Sequence, residues 1–321
     1  MRMKPRQLWN RTTLLALWLL AWTAPAEAAA KAKQKKMAAP AKLSLTRAEP
    51  RGIQRGAPTK VRLVGTNLTG VTGVKSHSLK LAGELAKGAT SKANELWISV
   101  TPAPDTPRGA YEISATGPHG ESNRLKLFVD DIPQVIEGAN KGAASESSLV
   151  DLPAAWWGTI EKPGDADEIA FEARAGQTLV FDLVMKSIGS KAASLVLTLL
   201  DAQGQTLASN SGFEDGGEPL LAYRFQAKGR YRIRVSDLML SGSPDHYYRL
   251  SLGAFPFVTG IFPLGAAAHA STEIQLAGYN LPRQNKVKLQ ADKAGELTVP
   301  IDTELFRLRR PFKVLVEDVR E

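Results

Sequence analysis

The sequence contains no cysteine. Disulfides therefore contribute nothing to its stability, and Cys-ligated zinc, c-type haem and a thiol nucleophile are excluded. Histidine is scarce: His77, His119, His246 and His269 are scattered among loops and strand ends, with no H-x-x-x-H spacing. There is no G-x-S-x-G nucleophile elbow, no G-x-G-x-x-G fingerprint and no P-loop, so Ser-His-Asp catalysis and nucleotide binding lack a sequence basis. Beyond residue 30 no segment sustains a 3.6-residue apolar period over about ten residues, so helices are not expected.

What is present begins with export. Arg2, Lys4, Arg6 and Arg11 precede the short apolar run "TTLLALWLLAWTAPA", and "APA" and "AEA" supply small residues at cleavage positions. This is the layout of a secretory signal peptide over residues 1–30; the alternative is an uncleaved anchor helix. The run falls short of the roughly 20 residues a span needs, so no membrane span is expected after cleavage. The expected location is extracytoplasmic, periplasmic or secreted.

The net charge of +9 is concentrated at this end. Residues 31–42, "KAKQKKMAAPAK", form a Lys/Ala-rich linker with the composition of disorder. Everything from Leu43 onward sums to roughly +1, which gives no reason to expect nucleic acid as a partner.

The body reads as strands. Short runs such as "KVRLVG", "ELWISV", "TLVFDLVM" and "SLVLTLL" alternate with Gly, Pro, Asn and Asp clusters. In "GRYRIRV", Tyr231, Ile233 and Val235 face one way and Arg230, Arg232 and Arg234 the other, the period of a half-buried strand. The expected class is all-β, as tandem β-sandwiches.

The chain also repeats itself. "VRLVGTNL" from Val61 matches "IQLAGYNL" from Ile274, an offset of 213 residues, and Pro50 and Gly52 map at the same offset to Pro263 and Gly265. "LKLFVDDI" from Leu125 resembles "FKVLVEDV" from Phe312, with the second copy shorter by about 26 residues. The shared Gly and Asn are expected to serve a turn. Asn67 also opens the sequon "NLT", which the second copy, "NLP", lacks.

Several segments carry chemistry to weigh. In "GDADE", Asp165, Asp167 and Glu168 offer oxygen ligands at alternating positions, as a calcium loop does, but not at EF-hand spacing. The other reading is a turn in which Asp165 accepts backbone amides ahead of a strand. Neighbouring side chains on a strand point to opposite faces, so of Trp156 and Trp157 one is expected in a core and the other at the surface. An exposed indole suits a sugar ring or an apolar partner; packing between domains is the alternative. "RLRRPFK", Arg307 to Lys313, is a basic patch expected to line an exposed loop.

Between the two copies, the run "WWGTIEKPGDADEIAFEARAGQTLVFDL", followed by "LLDAQGQTLASN", "GRYRIRVSD" and "HYYRLSLG", resembles the bacterial pre-peptidase C-terminal (PPC) domain. The marks are Gly158 and Ile160; Gly164, Asp165 and Asp167; Phe171; Ala175, Gly176 and Gln177; Asp201 and Gly204; Gly229, Tyr231 and Val235; and Tyr248 and Leu250. Ile169 stands where that family usually has Phe. The flanking copies resemble Ig-like IPT/TIG modules through the Pro-Gly turn and the L-x-G-x-N-L strand. The resemblance implies a jelly-roll-like sandwich without catalysis, in some relatives a collagen or polysaccharide binder with calcium near the first strand. Carried onto this chain, the calcium ligands would be Asp165, Asp167, Glu137 and Asn140. The second acid and the proline of the family's lead-in are absent from "QVIEGANKG".

The expected plan is a signal peptide (1–30), a linker (31–42), an Ig-like sandwich (43–133), a PPC-like sandwich (137–255) and a second, shortened Ig-like module (256–321). The expected function is non-enzymatic binding or spacing at the cell envelope or outside the cell. Partners would be an envelope or extracellular protein or a polysaccharide, with Trp156 and Trp157 as contact candidates, no cofactor beyond calcium, and no catalytic residue. The alternatives are an accessory portion of a larger secreted enzyme or a glycan-binding module.

Overall fold

The computed structural model describes residues 42–88, 91–118, 120–138, 149–212 and 217–318. The signal peptide, all of the linker but Lys42, and Asn140 lie outside the described residues. Those described hold strands and turns and no helix, so the chain is all-β.

The first sandwich contains β1 (Ser44–Glu49), β2 (Gly52–Gln54), β3 (Thr59–Thr66), β4 (Gly73–Ser76), β5 (Leu81–Leu85), β6 (Glu95–Pro102), β7 (Gly109–Gly117), β8 (Gly120–Glu121) and β9 (Leu125–Asp130). Its sheets run β1-β3-β6-β5 and β2-β9-β7-β4, with β8 on β7. β2 lies parallel to β9. Alternating positions of β3 and β6 (Val61, Leu63, Ile98, Val100) are fully buried against Ile113, Ala115 and Leu127 of the other sheet. Each such side chain contributes roughly 1.5–3 kcal/mol by leaving water.

The central sandwich contains β10 (Gln134–Ile136), β11 (Ala154–Thr159), β12 (Ala166–Ala173), β13 (Thr178–Val184), β14 (Leu195–Leu200), β15 (Thr206–Asn210), β16 (Leu220–Arg224), β17 (Gly229–Asp237) and β18 (Tyr247–Gly253), in sheets β10-β11-β18-β13-β16 and β12-β17-β14-β15. β17 has the two faces its alternation predicts. Ile233 and Val235 are fully buried, while Arg232 and Arg234 both bond Glu168 across the sheet. Phe171, Phe181, Phe225 and Tyr231 fill one end of the core, with centroids of Phe225 and Tyr231 4.5 Å apart.

The third body contains β19 (Phe257–Phe262), β20 (Gly265–Ala267), β21 (Ala270–Tyr279), β22 (Lys286–Ala291), β23 (Gly295–Thr298) and β24 (Lys313–Glu317), in sheets β19-β21-β22 and β20-β24-β23. It repeats the first in backbone detail. β20 is parallel to β24 as β2 is to β9. A bulge falls after Leu45 in β1 and after Val258 in β19. Asn67 and Asn280 both have positive φ, 59° and 53°. Their side-chain amides donate to Lys42 O at 2.9 Å and Phe255 O at 3.3 Å, which are also one offset apart. A Cβ on Gly65 or Gly278 would come 2.0 Å from the carbonyl oxygen of Ser44 or Phe257. The repeated Gly and Asn thus fix a close crossing of backbones.

The basic run 307–313 is exposed only in part: Arg310 and Lys313 face solvent, whereas Arg307 and Arg309 do not. Arg307 and Arg309 are largely buried. Arg307 pairs with Asp130 at 2.8 Å and with Asp131, and lies over the Phe255 ring. Arg309 donates to Asp182 Oδ1 at 2.7 Å and to the carbonyls of Glu218 and Pro219. Arg108 of the first sandwich bonds Asp131 and reaches the carbonyls of Thr303 and Phe306. Buried guanidinium groups need such partners, since an unpaired buried charge costs several kcal/mol. The loop before β24 is therefore a clamp across all three bodies.

Candidate functional site

The first and central sandwiches meet along β2, β9, β10 and β11. Gly52 makes the meeting possible, since a Cβ there would stand 2.5 Å from both Trp157 Nε1 and Gln134 Oε1. Trp157 donates its indole hydrogen to Gln134 at 2.9 Å and packs on Phe128 with centroids 5.5 Å apart. Arg249, paired across the sheet with Trp157, forms an ion pair with Asp130. Burial, with Arg307 and Arg108 nearby, lowers the Arg249 guanidinium from its usual range. Trp157 is 5% exposed and Trp156 is half-buried against the central core. Neither indole is an open platform, because the first sandwich covers the outer face of the sheet that holds Trp157. Trp97, in the middle of β6, is the exposed tryptophan among the described residues.

Beside this contact lies a cleft of about 540 Å³, walled by Arg47, Glu49 and Arg51 from the first sandwich and by Thr159, Glu161 and Tyr247 from the central one. The guanidinium of Arg51 sits 3.6 Å from the centre of the Tyr247 ring, a cation–π contact that bridges the two walls. Burial lowers the Arg51 pKa from its ordinary range. A second hollow continues past Arg51 to Lys191 and Asp245, which pair at 2.6 Å.

Behind the Gly158–Thr159 wall is a buried acid site. Tyr248 is fully buried and donates to Asp167 Oδ2 at 2.7 Å. Gly158 leaves room for it, since a Cβ would lie 2.4 Å from the Tyr248 oxygen. Burial, then a hydrogen bond with the Glu137 carboxyl, pushes Asp167 up to about 8. Burial, then Asp167, raises Tyr248 well above its usual range. Glu137 also accepts the Thr159 amide at 3.0 Å.

Asp165, by contrast, closes the turn. Its carboxylate accepts the Glu161 amide at 2.8 Å, and Gly164 next to it has φ of 76°. Glu168 is spent on Arg232 and Arg234. Of the calcium candidates, the structure therefore brings Glu137 and Asp167 into contact and leaves Asp165 at the margin, with Asn140 outside the described residues. Among the described residues no group of three or more His, Asp or Glu is placed to hold a metal. Asp130, Arg249 and Arg51 are not singled out by sequence reasoning; the "VDD" at the end of β9 is the one visible trace.

No family model matches the sequence, and no curated protein matches it. Solved structures do. The pre-peptidase C-terminal domain of a Bacillus anthracis collagenase is 14% identical at a TM-score of 0.28, covering 34% of this chain and 97% of that one. A periplasmic inhibitor of g-type lysozyme from Aeromonas hydrophila is 20% identical at 0.25, covering 38% and 96%. SGBP-B of a Bacteroides ovatus mixed-linkage glucan utilization locus, solved with a heptasaccharide, is 12% identical at 0.22, covering 67% and 74%.

Proposed function

We propose that the chain is an exported, non-enzymatic binding protein of the cell envelope or its surroundings, and that its ligand, a polysaccharide or a protein segment, occupies the cleft between the first and central sandwiches. The observation that carries this reading is the fixed joint. Two walls from different bodies face each other across about 540 Å³, a size suited to part of a chain-like ligand. They are held in register by Trp157 on Gly52, Arg51 on Tyr247 and Arg249 on Asp130. A cleft ordered before binding loses less entropy when filled. Its lining offers guanidinium donors and carboxylate acceptors, the groups that hydrogen-bond hydroxyls and amides.

The same reading places calcium, if the protein takes it, at the Glu137–Asp167 pair with Asp165 near by. There it would displace the proton that Asp167 keeps and stiffen the wall that Thr159 forms. Among the described residues no helix is long and apolar enough to cross a membrane.

Co-sedimentation with insoluble polysaccharides (peptidoglycan sacculi, chitin and a mixed-linkage glucan) tests the proposal. The wild-type chain is expected to pellet with at least one, and the paired substitution Arg51→Ala with Tyr247→Ala to remain in solution. Binding that survives the paired substitution, or the absence of binding to these and to an array of envelope-protein peptides, overturns it.

A further inference from the structure

The cleft between the first and central sandwiches holds a cation without an anion. Arg47 on one wall pairs with Glu49 at 2.5 Å, and Lys191 farther along pairs with Asp245 at 2.6 Å. The guanidinium groups in the joints have carboxylates of their own: Arg55 with Glu304, Arg108 with Asp131, Arg249 and Arg307 with Asp130. Arg51 stands between the cleft and a second hollow of about 270 Å³ and lines both. Among the described residues its guanidinium has no carboxylate and no hydrogen-bond acceptor, only the face of the Tyr247 ring. Glu49 and Asp245 act on it through space, and each is already bonded to another cation.

That placement is anchored from both sides. The backbone carbonyl of Arg51 accepts the Phe128 amide at 2.9 Å, and the Tyr247 hydroxyl donates to Ile188 O at 3.2 Å. A guanidinium stacked by its face keeps its N–H edge available, and that edge matches a carboxylate in a two-pronged bond. Stacking does not replace the hydrogen bonds that a half-buried guanidinium gives up with water. An anion arriving through the cleft supplies them. The rest of the lining sets donors beside acceptors: the Arg47–Glu49 pair, the Thr159 hydroxyl and the exposed Glu161 carboxylate. Such mixed groups suit sugar hydroxyls, which donate and accept at once. A peptide would instead need apolar pockets for its side chains. Trp157, the largest apolar group on the cleft, is only 5% exposed.

We propose that the ligand of this cleft is an acidic polysaccharide, with a carboxylate of the sugar chain seated on Arg51 and neighbouring hydroxyls on the Arg47–Glu49 pair and Thr159. This rests on the binding role proposed above and narrows it to one class of polymer. Arg51 then sets the preference for a charged sugar over a neutral one. Asp245 competes for the same guanidinium and is held off by Lys191.

Affinity electrophoresis at physiological salt, through gels holding polygalacturonate, alginate or hyaluronan or the carboxyl-reduced form of each, tests this. The wild type is expected to bind at least one acidic polymer more tightly than its reduced form. Arg51→Gln should lose about tenfold or more for the acidic form and nothing for the reduced one, and Arg51→Lys should keep part of the preference. Asp245→Asn removes an exposed competing anion and should tighten binding of the acidic form, a gain that a misfolded variant cannot give. Lys228→Gln, exposed and outside the cleft lining, should change nothing. The lysines of residues 31–42 are common to every variant, so differences between variants report the cleft. Equal binding of acidic and reduced forms, or binding confined to chitin or a mixed-linkage glucan, overturns the inference and leaves the binding role standing. A preference that Arg51→Gln does not reduce, or that Asp245→Asn weakens, puts the anion elsewhere and overturns it as well. Retention by no polymer, chitin and glucan included, overturns it and leaves only a protein segment for the cleft.

Discussion

Tyr248 donates its phenolic hydrogen to Asp167 inside the central sandwich at 2.7 Å, with the hydroxyl lying over Gly158 and the carboxyl pressed on Glu137. A carboxyl so placed keeps its proton at pH values where an exposed one has lost it, because charging it would bury an unpaired anion beside another.

That sets the pH dependence of stability. Unfolded Asp titrates near 3.9, whereas folded Asp167 does so at about 8. Between these values the folded state binds more protons than the unfolded state, so stability falls as pH rises. Urea unfolding in chelator should show a decline across this window, and Asp167→Asn should flatten it. A wild-type profile already flat there would mean that Asp167 is ionised in the fold.

Calcium should reverse the same slope. The ion competes with the proton on Asp167, so the rise in melting temperature should be larger near pH 8 than near pH 6 and absent in Asp167→Asn. At about a hundredfold excess over Kd the gain would be roughly 2.7 kcal/mol. No shift at either pH would leave this loop a turn with a buried acid.

Much of this arrangement was legible in the sequence, and some was not. Alternation exposed the two faces of β17, because Ile233 and Val235 need only the strand's own period to be placed. The 213-residue offset exposed the duplicated crossing at Asn67 and Asn280, because a backbone that approaches so closely demands Gly and a positive φ at fixed positions. The fates of Arg307 and Arg309 were hidden. Their partners Asp130 and Asp182 lie 177 and 127 residues away, and no local pattern separates an arginine bound for a carboxylate across a domain joint from one in water. Trp157 was ambiguous for a related reason: periodicity tells which face it takes, not that another body covers that face.

The arginine clamp predicts a large cost for one small change. Asp130→Ala leaves Arg249 and Arg307 buried without their shared carboxylate and should destabilise the chain by about 3–5 kcal/mol in guanidinium unfolding. A loss under about 1 kcal/mol would show the joint to be wet and the pairs surface-like.

The two copies provide a controlled comparison. Gly52→Ala thrusts a methyl group into Trp157 and should cost about 1–3 kcal/mol, with a red shift in indole fluorescence as the ring meets water. Gly265→Ala, the same change at the equivalent position, meets open space and should be near neutral. Equal effects would contradict the different environments of the two edges.

The account depends most on the joint between the first and central sandwiches being fixed. The cysteine-free chain allows spin labels at Thr101→Cys and Lys228→Cys, both exposed and one in each body. Double electron–electron resonance should give one narrow distance distribution, which Asp130→Ala broadens. A broad or two-peaked distribution in the otherwise wild-type chain would show that the walls of the cleft move independently and would contradict the account.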